Sequence, residues 1–286
     1  MTMKHELDEA PIVVLGGTGK TGSRVVKGLI EKGRPVRVGS RAATPPFDWN
    51  DPETWGPAVA GASAVYITFH PDLAVPGAVS AIRDFAAVAL AAGAKRMVLL
   101  SGRGEPEAEE AEQALIGSGA DWTIIRASWF LQNFSETFLL DAIKAGEVLL
   151  PVGPVKEPFV DVEDIAAIAV AALTEEGHSG RLYEVTGPEL LSFEEAVAAI
   201  SAAAGRTIRF RQIAPESYAE MLRDAGVSDA EISLLLYLFT TVLDGRNAYL
   251  SGGIREALGR GPGSFADYVS RTARTGVWSA MEPVTA

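Results

Sequence analysis

Four glycines fall within seven residues near the start of the chain, in the segment PIVVLGGTGKTG at positions 11–22. An apolar run ends at this cluster, and apolar residues at helical spacing follow from Ser23 onward. Glycine in such a turn permits a sharp bend, a close approach to a pyrophosphate and tight packing of the next helix. The start of that helix attracts phosphate through its free N–H groups and its dipole. The predicted contacts to a dinucleotide cofactor are Gly16, Gly17, Thr18, Gly19, Lys20, Thr21 and Gly22.

The spacing of these glycines leaves two alternatives to weigh. Both G-x-G-x-x-G from Gly17 and G-x-x-G-x-x-G from Gly16 end at Gly22. The letters GKT resemble the end of a P-loop, but a P-loop needs another glycine five residues before Gly19, where this chain has Val14. A phosphoryl-transfer site is therefore disfavoured. A glycine-rich turn that holds no ligand remains the other alternative.

The residues after the second predicted strand, 35–39, select between the two nicotinamide cofactors. Folds that prefer NAD place an Asp or Glu here to accept hydrogen bonds from the ribose 2′-OH. This chain has Ser40 and Arg41 and no carboxylate. Because arginine pairs bidentately with phosphate, we predict NADP(H), with a solvated surface arginine as the alternative. Asp48 is predicted either to accept from the adenine amino group or to form an Asx turn.

Short apolar runs alternate with helical segments, which predicts an α/β fold with a doubly wound, parallel, Rossmann-type sheet. The strand at 64–69 ends at Thr68, Phe69 and His70, and the strand at 95–100 ends at Ser101. Open α/β sheets bind ligands at these strand ends. We expect Thr68, Phe69 and Ser101 to contact the cofactor. His70 is the candidate acid, because histidine titrates closest to neutral pH, and a histidine that only packs or caps is the alternative.

The second half of the chain contributes an aromatic and amide-rich segment, 128–138, after the strand at 121–126. With His70, the predicted substrate contacts there are Ser128, Trp129, Phe130 and Asn133, and core packing is the alternative. We predict an NADP-binding Rossmann domain over 1–150. Residues 151–286 are predicted to form mainly a smaller C-terminal α/β substrate lobe, with some segments returning to the sheet. A loop is expected at 149–160, and a helix at 231–243 that is either buried or a subunit interface. Ser192 and Glu195 match a capping box that starts a helix at 193–204, and a strand is expected at 208–213.

Composition restricts the partners of the protein. The net charge is −12 and the pI is about 4.8, which disfavours nucleic acid and anionic membranes as partners. The chain has no cysteine, no cluster with metal-ligand spacing and no apolar stretch of the ~20 residues that a membrane span requires. We expect a cytoplasmic monomer or homodimer that acts on a small-molecule substrate without a metal.

Several segments occur in an order and spacing that resemble the NmrA-like, atypical members of the short-chain dehydrogenase/reductase superfamily. They are LGGTGKTG at 15–22, VGSR at 38–41, MVLLS at 97–101, DWTIIRASWFLQNF at 121–134 and PFVDVEDIA at 158–166. The resemblance extends to about residue 205 and is nearest to the branch with the fungal ergot-alkaloid reductases and their bacterial relatives. It implies an NADP-binding Rossmann domain with a small substrate lobe. The activities it implies range from quinone, azo-dye or iminium reduction to redox sensing without turnover.

One family feature is missing. Typical short-chain dehydrogenases pair a catalytic tyrosine with a lysine four residues later, but none of the six tyrosines here has a lysine at that position. Ser101 falls where the family's catalytic serine would lie. Reactions that need a proton from the tyrosine are disfavoured, whereas hydride transfer to an electron-poor quinone or iminium requires mainly proximity and orientation. We predict an NADPH-dependent reductase of such acceptors. The alternative is a non-catalytic NADP(H)-sensing regulator that acts through a protein partner.

Overall fold

Ten β-strands and eleven α-helices form residues 10–280, the part of the 286-residue chain that this computed structural model describes. In chain order the strands are β1 (Ile12–Leu15), β2 (Val36–Gly39), β3 (Ala64–Ile67), β4 (Arg96–Gly102), β5 (Asp121–Ala127), β6 (Glu147–Leu150), β7 (Lys156–Glu157), β8 (Arg181–Val185), β9 (Leu191–Ser192) and β10 (Arg209–Gln212). The helices are α1 (Lys20–Glu31), α2 (Trp55–Val59), α3 (Ala78–Ala91), α4 (Pro106–Ile116), α5 (Leu139–Ala145), α6 (Val162–Thr174), α7 (Phe193–Ala203), α8 (Pro215–Asp224), α9 (Asp229–Tyr237), α10 (Gly253–Leu258) and α11 (Phe265–Ala273).

The main sheet has six parallel strands in the order β2-β1-β3-β4-β5-β8. Alternate strand residues such as Val13 and Leu15 pack into a core with α2, α3 and α4. The intervening residues, such as Val14 and Tyr66, point to the opposite face, where α1 and α6 pack together. The predicted doubly wound parallel sheet is therefore confirmed. Because β1 has β2 on one side and β3 on the other, the direction of sheet growth reverses at β1, which is where such sheets bind ligands.

The chain divides into two compact units. Among the described residues, the first consists of 10–127, 162–185 and 251–261, and the second of 128–161, 186–250 and 262–280. The predicted domain boundary at residue 150 therefore lies inside the second unit. The chain leaves the first unit at the end of β5, and α6, β8 and α10 return to it because their apolar faces pack on the main sheet.

The second unit contains two small sheets and an aromatic core. Strands β6 and β10 pair in parallel, and β7 and β9 pair antiparallel, so the predicted loop at 149–160 includes the end of β6 and all of β7. The rings of Phe134, Phe159, Phe193 and Phe239 pack edge-on or tilted against one another. Strand β10 lies within the strand predicted at 208–213, whereas β7 and β9 have two residues each and are too short for a periodic apolar pattern to reveal them.

Two further predictions about helices have different outcomes. The capping box at the start of α7 is confirmed, because the Glu195 N–H donates to Ser192 Oγ (3.1 Å) and the Ser192 N–H donates to Glu195 Oε2 (2.7 Å). The helix expected over 231–243 is α9 followed by a π-helical turn, Leu238–Val242, and most of its side chains are half-buried or exposed. None of the helices within residues 10–280 is long and apolar enough to cross a membrane.

Candidate cofactor site and active site

The turn after β1 has no room for a side chain at Gly16, and the first turn of α1 has none at Gly22. Gly16 has a φ of +64°, and a Cβ there would lie 2.4 Å from Thr68 Oγ1. A Cβ at Gly22 would lie 2.2 Å from the carbonyl oxygen of Gly16. The backbone is therefore folded tightly on itself, and it presents a smooth surface that a pyrophosphate can approach.

The N-terminus of α1 opens directly onto this turn. Gly19 is the N-cap, it provides no side-chain hydrogen bond, and the first turn of α1 carries no acidic side chain. No N-cap side chain therefore competes with an anion for the first N–H groups of the helix. Thr18 is exposed and Lys20 is half-buried, whereas Gly17 and Thr21 are buried. The glycine cradle and the uncapped helix start together fit the pyrophosphate of a dinucleotide.

Thr68, predicted to contact the cofactor, fixes the end of β3 to the end of β1. Its Oγ1 donates to the Leu15 carbonyl (3.1 Å), and its own carbonyl accepts from Trp49 Nε1 (3.0 Å). The ring of Phe69 packs on Trp49 with centroids 4.8 Å apart. His70 follows and is exposed, and it has no hydrogen-bond partner among residues 10–280. These residues lie at the point where the direction of sheet growth reverses.

The turn after β2 carries an exposed arginine, Arg41. Ser40 uses its carbonyl to accept from the N–H groups of Ala43 (3.1 Å) and Phe47 (2.9 Å), which forms a turn. Arg41 is exposed on this turn, and its guanidinium has no ion-pair partner in the described part of the chain. Asp48 Oδ1 accepts from the N–H of Asn50 (2.9 Å), so the Asx turn predicted as one alternative is present. The other carboxylate oxygen of Asp48 is not used by that turn.

Ser101 is buried in a charged network at the end of β4. Its Oγ donates to Glu112 Oε1 (2.6 Å), and Glu112 also forms a bidentate pair with Arg126 through Nε (2.9 Å) and Nη2. Glu112 is fully buried on α4, so the arginine pair and the serine bond compensate its charge. The pairing also holds the Arg126 pKa above its usual range. Ser101 thereby joins the end of β4 to α4 and β5.

A second buried carboxyl, that of Glu105, was not predicted from the sequence. It precedes α4, and a Cβ on Gly102 would lie 2.3 Å from Glu105 Oε1, so the carboxyl lies directly on the backbone at the end of β4. Burial, and then the neighbouring Asp72 carboxylate, raise its pKa to about 9. A glutamate between a strand end and a helix-opening proline was the only local signal. Its partner on the β3–α3 connection could not be identified from sequence spacing.

The predicted substrate residues of the second unit have defined partners there. Ser128 is buried and donates to Glu157 Oε2 (2.9 Å). Trp129 packs on Phe239 and Phe193 with centroid distances of 5.0 and 5.5 Å, so core packing accounts for part of its surface. Phe130 and Asn133 are half-buried around a 3-10 turn, Leu131–Phe134.

The pair of residues typical of short-chain dehydrogenases is absent from α4, which contains neither tyrosine nor lysine. Tyr66 lies on the neighbouring strand β3, where burial raises the pKa of its phenol. Within residues 10–280, no group of three or more His, Asp or Glu side chains is arranged to hold a metal ion. The carboxyl edge of the main sheet thus offers carboxyl, hydroxyl, imidazole and guanidinium groups.

Comparisons with known proteins agree with the cofactor geometry. A family described as NAD(P)H-binding matches residues 16–176. The chain is 31% identical to prestalk A differentiation protein A of Dictyostelium discoideum, over 91% of this chain and 92% of that protein. It is 31% identical to the NAD(P)H azoreductase of Xenophilus azovorans, over 92% and 98% of the two chains. It is 30% identical to the agroclavine dehydrogenase of Claviceps fusiformis, over 91% and 96%.

Proposed function

The chain belongs to the NAD(P)H-binding, NmrA-like atypical short-chain dehydrogenase/reductase family, and from that premise we propose that it is an NADPH-dependent reductase of activated acceptors. The proposed acceptors are small, electron-poor molecules such as a quinone, an iminium or an azo compound. Two of the relatives named above are an azoreductase and an agroclavine dehydrogenase. Bound NADPH would supply the hydride.

The observation that carries this proposal is the glycine cradle at the β1–α1 turn. Side chains at Gly16 and Gly22 would collide with Thr68 and with the turn itself, so the surface is shaped for close backbone approach. The cradle lies at the switch point of the sheet and in front of the uncapped start of α1. A dinucleotide matches both features, because it offers a diphosphate to the helix and an extended shape to the strand ends.

The proposed preference for NADPH over NADH depends on Arg41. The turn after β2 offers this exposed guanidinium and no carboxylate within Gly39–Arg41. A carboxylate there would repel a 2′-phosphate, whereas a guanidinium binds it with two parallel hydrogen bonds. Arg37, on the strand itself, is already used, because it donates to the carbonyls of Ala58 (3.0 Å) and Ala60 (2.8 Å).

The protein contributes positioning more than acid–base chemistry in this proposal. An electron-poor acceptor takes hydride readily once it is held against the nicotinamide, so the absent Tyr–Lys pair is not required. We propose that His70, exposed at the end of β3, contacts the substrate.

The test follows NADPH absorbance with purified protein against a panel of quinones, azo dyes, cyclic imines and enals. His70→Ala is compared with Gln113→Ala, a matched control on the exposed face of α4. Turnover that falls in His70→Ala, while NADPH still binds, supports the reductase. Tight NADPH binding without oxidation by any acceptor would contradict it and favour the non-catalytic NADP(H)-sensing alternative.

A further inference from the structure

The carboxyl of Glu105 is buried in a position that offers no hydrogen-bond donor to one of its oxygens. The residue is 7% exposed, and its Oε2 has no hydrogen-bond partner in the described structure. The carboxyl lies on the Gly102 backbone, within hydrogen-bonding reach of the Asp72 carboxyl on the β3–α3 connection. Two carboxyl groups can bond in this way only when a proton lies between them.

The charges around Glu105 also favour a proton on its carboxyl. Asp72 faces it from the β3–α3 connection, and Glu107 and Glu112 face it from α4, so every one of these neighbours is an acid. Glu112 is compensated by Arg126, and Arg103, on the connection before Glu105, pairs with Glu184 of β8 at 2.6 Å. A negative charge on Glu105 would therefore be buried among like charges, which strongly favours the protonated form.

The position of Glu105 at the edge of the sheet would allow its proton to reach a bound substrate. Glu105 follows the end of β4, and Asp72 follows the end of β3, at the carboxyl edge where open α/β sheets bind their ligands. We propose that Glu105 and Asp72 hold one shared proton and deliver it to the acceptor when a neutral substrate is reduced. This inference rests on the proposed reductase function, and it assigns the proton to the carboxyl pair instead of His70. Asp72 is half-exposed, so it is the member of the pair that can pass the proton outward.

The number of protons that the reduction consumes differs between classes of acceptor. A quinone gains a hydride and one further proton, and its C=O bonds become C–OH bonds. The carboxyl pair gives up its O–H bond, carries two negative charges, and regains a proton from solvent. An iminium or a triarylmethyl cation gains only the hydride, because the addition itself neutralises its positive charge. A comparison of the two classes of acceptor therefore distinguishes the effect on proton transfer from the effect on hydride transfer.

The first test detects the proton without turnover. Infrared spectra of the protein without cofactor, in water and in heavy water, identify a protonated carboxyl by its C=O stretch. At neutral pH we expect this band in the wild type and in Glu110→Gln, an exposed control on α4, and its loss in Glu105→Gln. Asp72→Asn should retain the band but let it titrate at lower pH, because the neighbouring charge is gone. A band that is absent from the wild type, or unchanged in Glu105→Gln, overturns the proposal.

The second test compares kcat/KM for a quinone with kcat/KM for a cationic acceptor across pH. Glu105→Gln should lower the quinone-to-cation ratio by about a hundredfold, the lower end of the range for general acid catalysis, and should remove the alkaline limb of the quinone profile. An unchanged ratio in Glu105→Gln, or a fall in His70→Ala instead, overturns the assignment. If the wild type reduces neither acceptor, the reductase function fails, while the infrared test still decides whether the pair holds a proton.

Discussion

Thr68 Oγ1 donates a hydrogen bond of 3.1 Å to the carbonyl of Leu15, and this bond joins the end of β3 to the end of β1 beside the glycine cradle. The same oxygen occupies the space that a side chain at Gly16 would need. The threonine therefore sets both the strand ends and the shape of the proposed pyrophosphate site.

Gly16→Ala should raise the Kd for NADPH by about tenfold or more, since a hydrogen bond from the backbone to a charged phosphate contributes about 1.5–3 kcal/mol. The added Cβ must move either Thr68 or the turn. Gly33→Ala is the matched control, because Gly33 also has a positive φ (+69°) but nothing within 4 Å of a Cβ. Both variants should lose about 1–2 kcal/mol of folding stability from backbone strain. Fluorescence titration with NADPH and urea unfolding measure the two effects, and equal NADPH affinity in both variants would contradict the cradle.

Arg41→Ala should raise the Kd for NADPH by about ten- to a hundredfold and leave the Kd for NADH nearly unchanged. The reason is that the guanidinium would pair only with the 2′-phosphate. Arg83→Ala, an exposed arginine on α3, is the control for a general loss of positive charge. Calorimetric titration with both cofactors measures the ratio, and a similar fall for NADH would remove the basis of the proposed preference.

Glu112→Ala should destabilise the protein by about 3–5 kcal/mol, because it leaves Arg126 without its buried partner and Ser101 without its acceptor. Ser101→Ala should cost less, about 1–3 kcal/mol, since it removes a single bond to a buried carboxylate. Glu110→Gln on the exposed face of α4 should change stability by no more than about 0.5 kcal/mol. Urea unfolding measures all three, and a Glu112→Ala effect as small as that of Glu110→Gln would show that the network contributes little.

The free energy of unfolding should fall as pH rises from mildly acidic toward pH 9, because of Glu105. Its pKa is raised from 4.5 to about 9 in the folded protein, so between these values the folded state holds a proton that the unfolded chain releases. Stability is therefore greatest at the low end of this window and is lost toward the high end, by at most about 1.4 kcal/mol per pH unit. Urea unfolding across this range should show a flatter dependence in Glu105→Gln. An equal slope in the wild type and the variant would contradict the buried protonated carboxyl.

The features that the sequence determined are local ones. The apolar run, the glycines and the helix of residues 11–31 form a β-strand, a turn and α1, because short-range sterics and hydrogen bonds decide such a unit. The capping box of Ser192 and Glu195 needs only three residues of spacing and is present as predicted. The doubly wound sheet also follows from the alternation of buried strands and helices, since parallel strands require crossover helices.

The tertiary structure alone decided which distant side chains meet. Glu112 reaches Ser101 and Arg126, 11 and 14 residues away, and Arg103 reaches Glu184, 81 residues away. Strands β6 and β10 pair although about sixty residues separate them, and this pairing was not predicted from either segment. Glu105 resembles an ordinary surface acid in the sequence, but the fold brings Asp72 beside it and buries the Glu105 carboxyl away from water. Its chemistry depends on desolvation and on neighbouring charges, and both are properties of position in space that residue type and spacing do not encode.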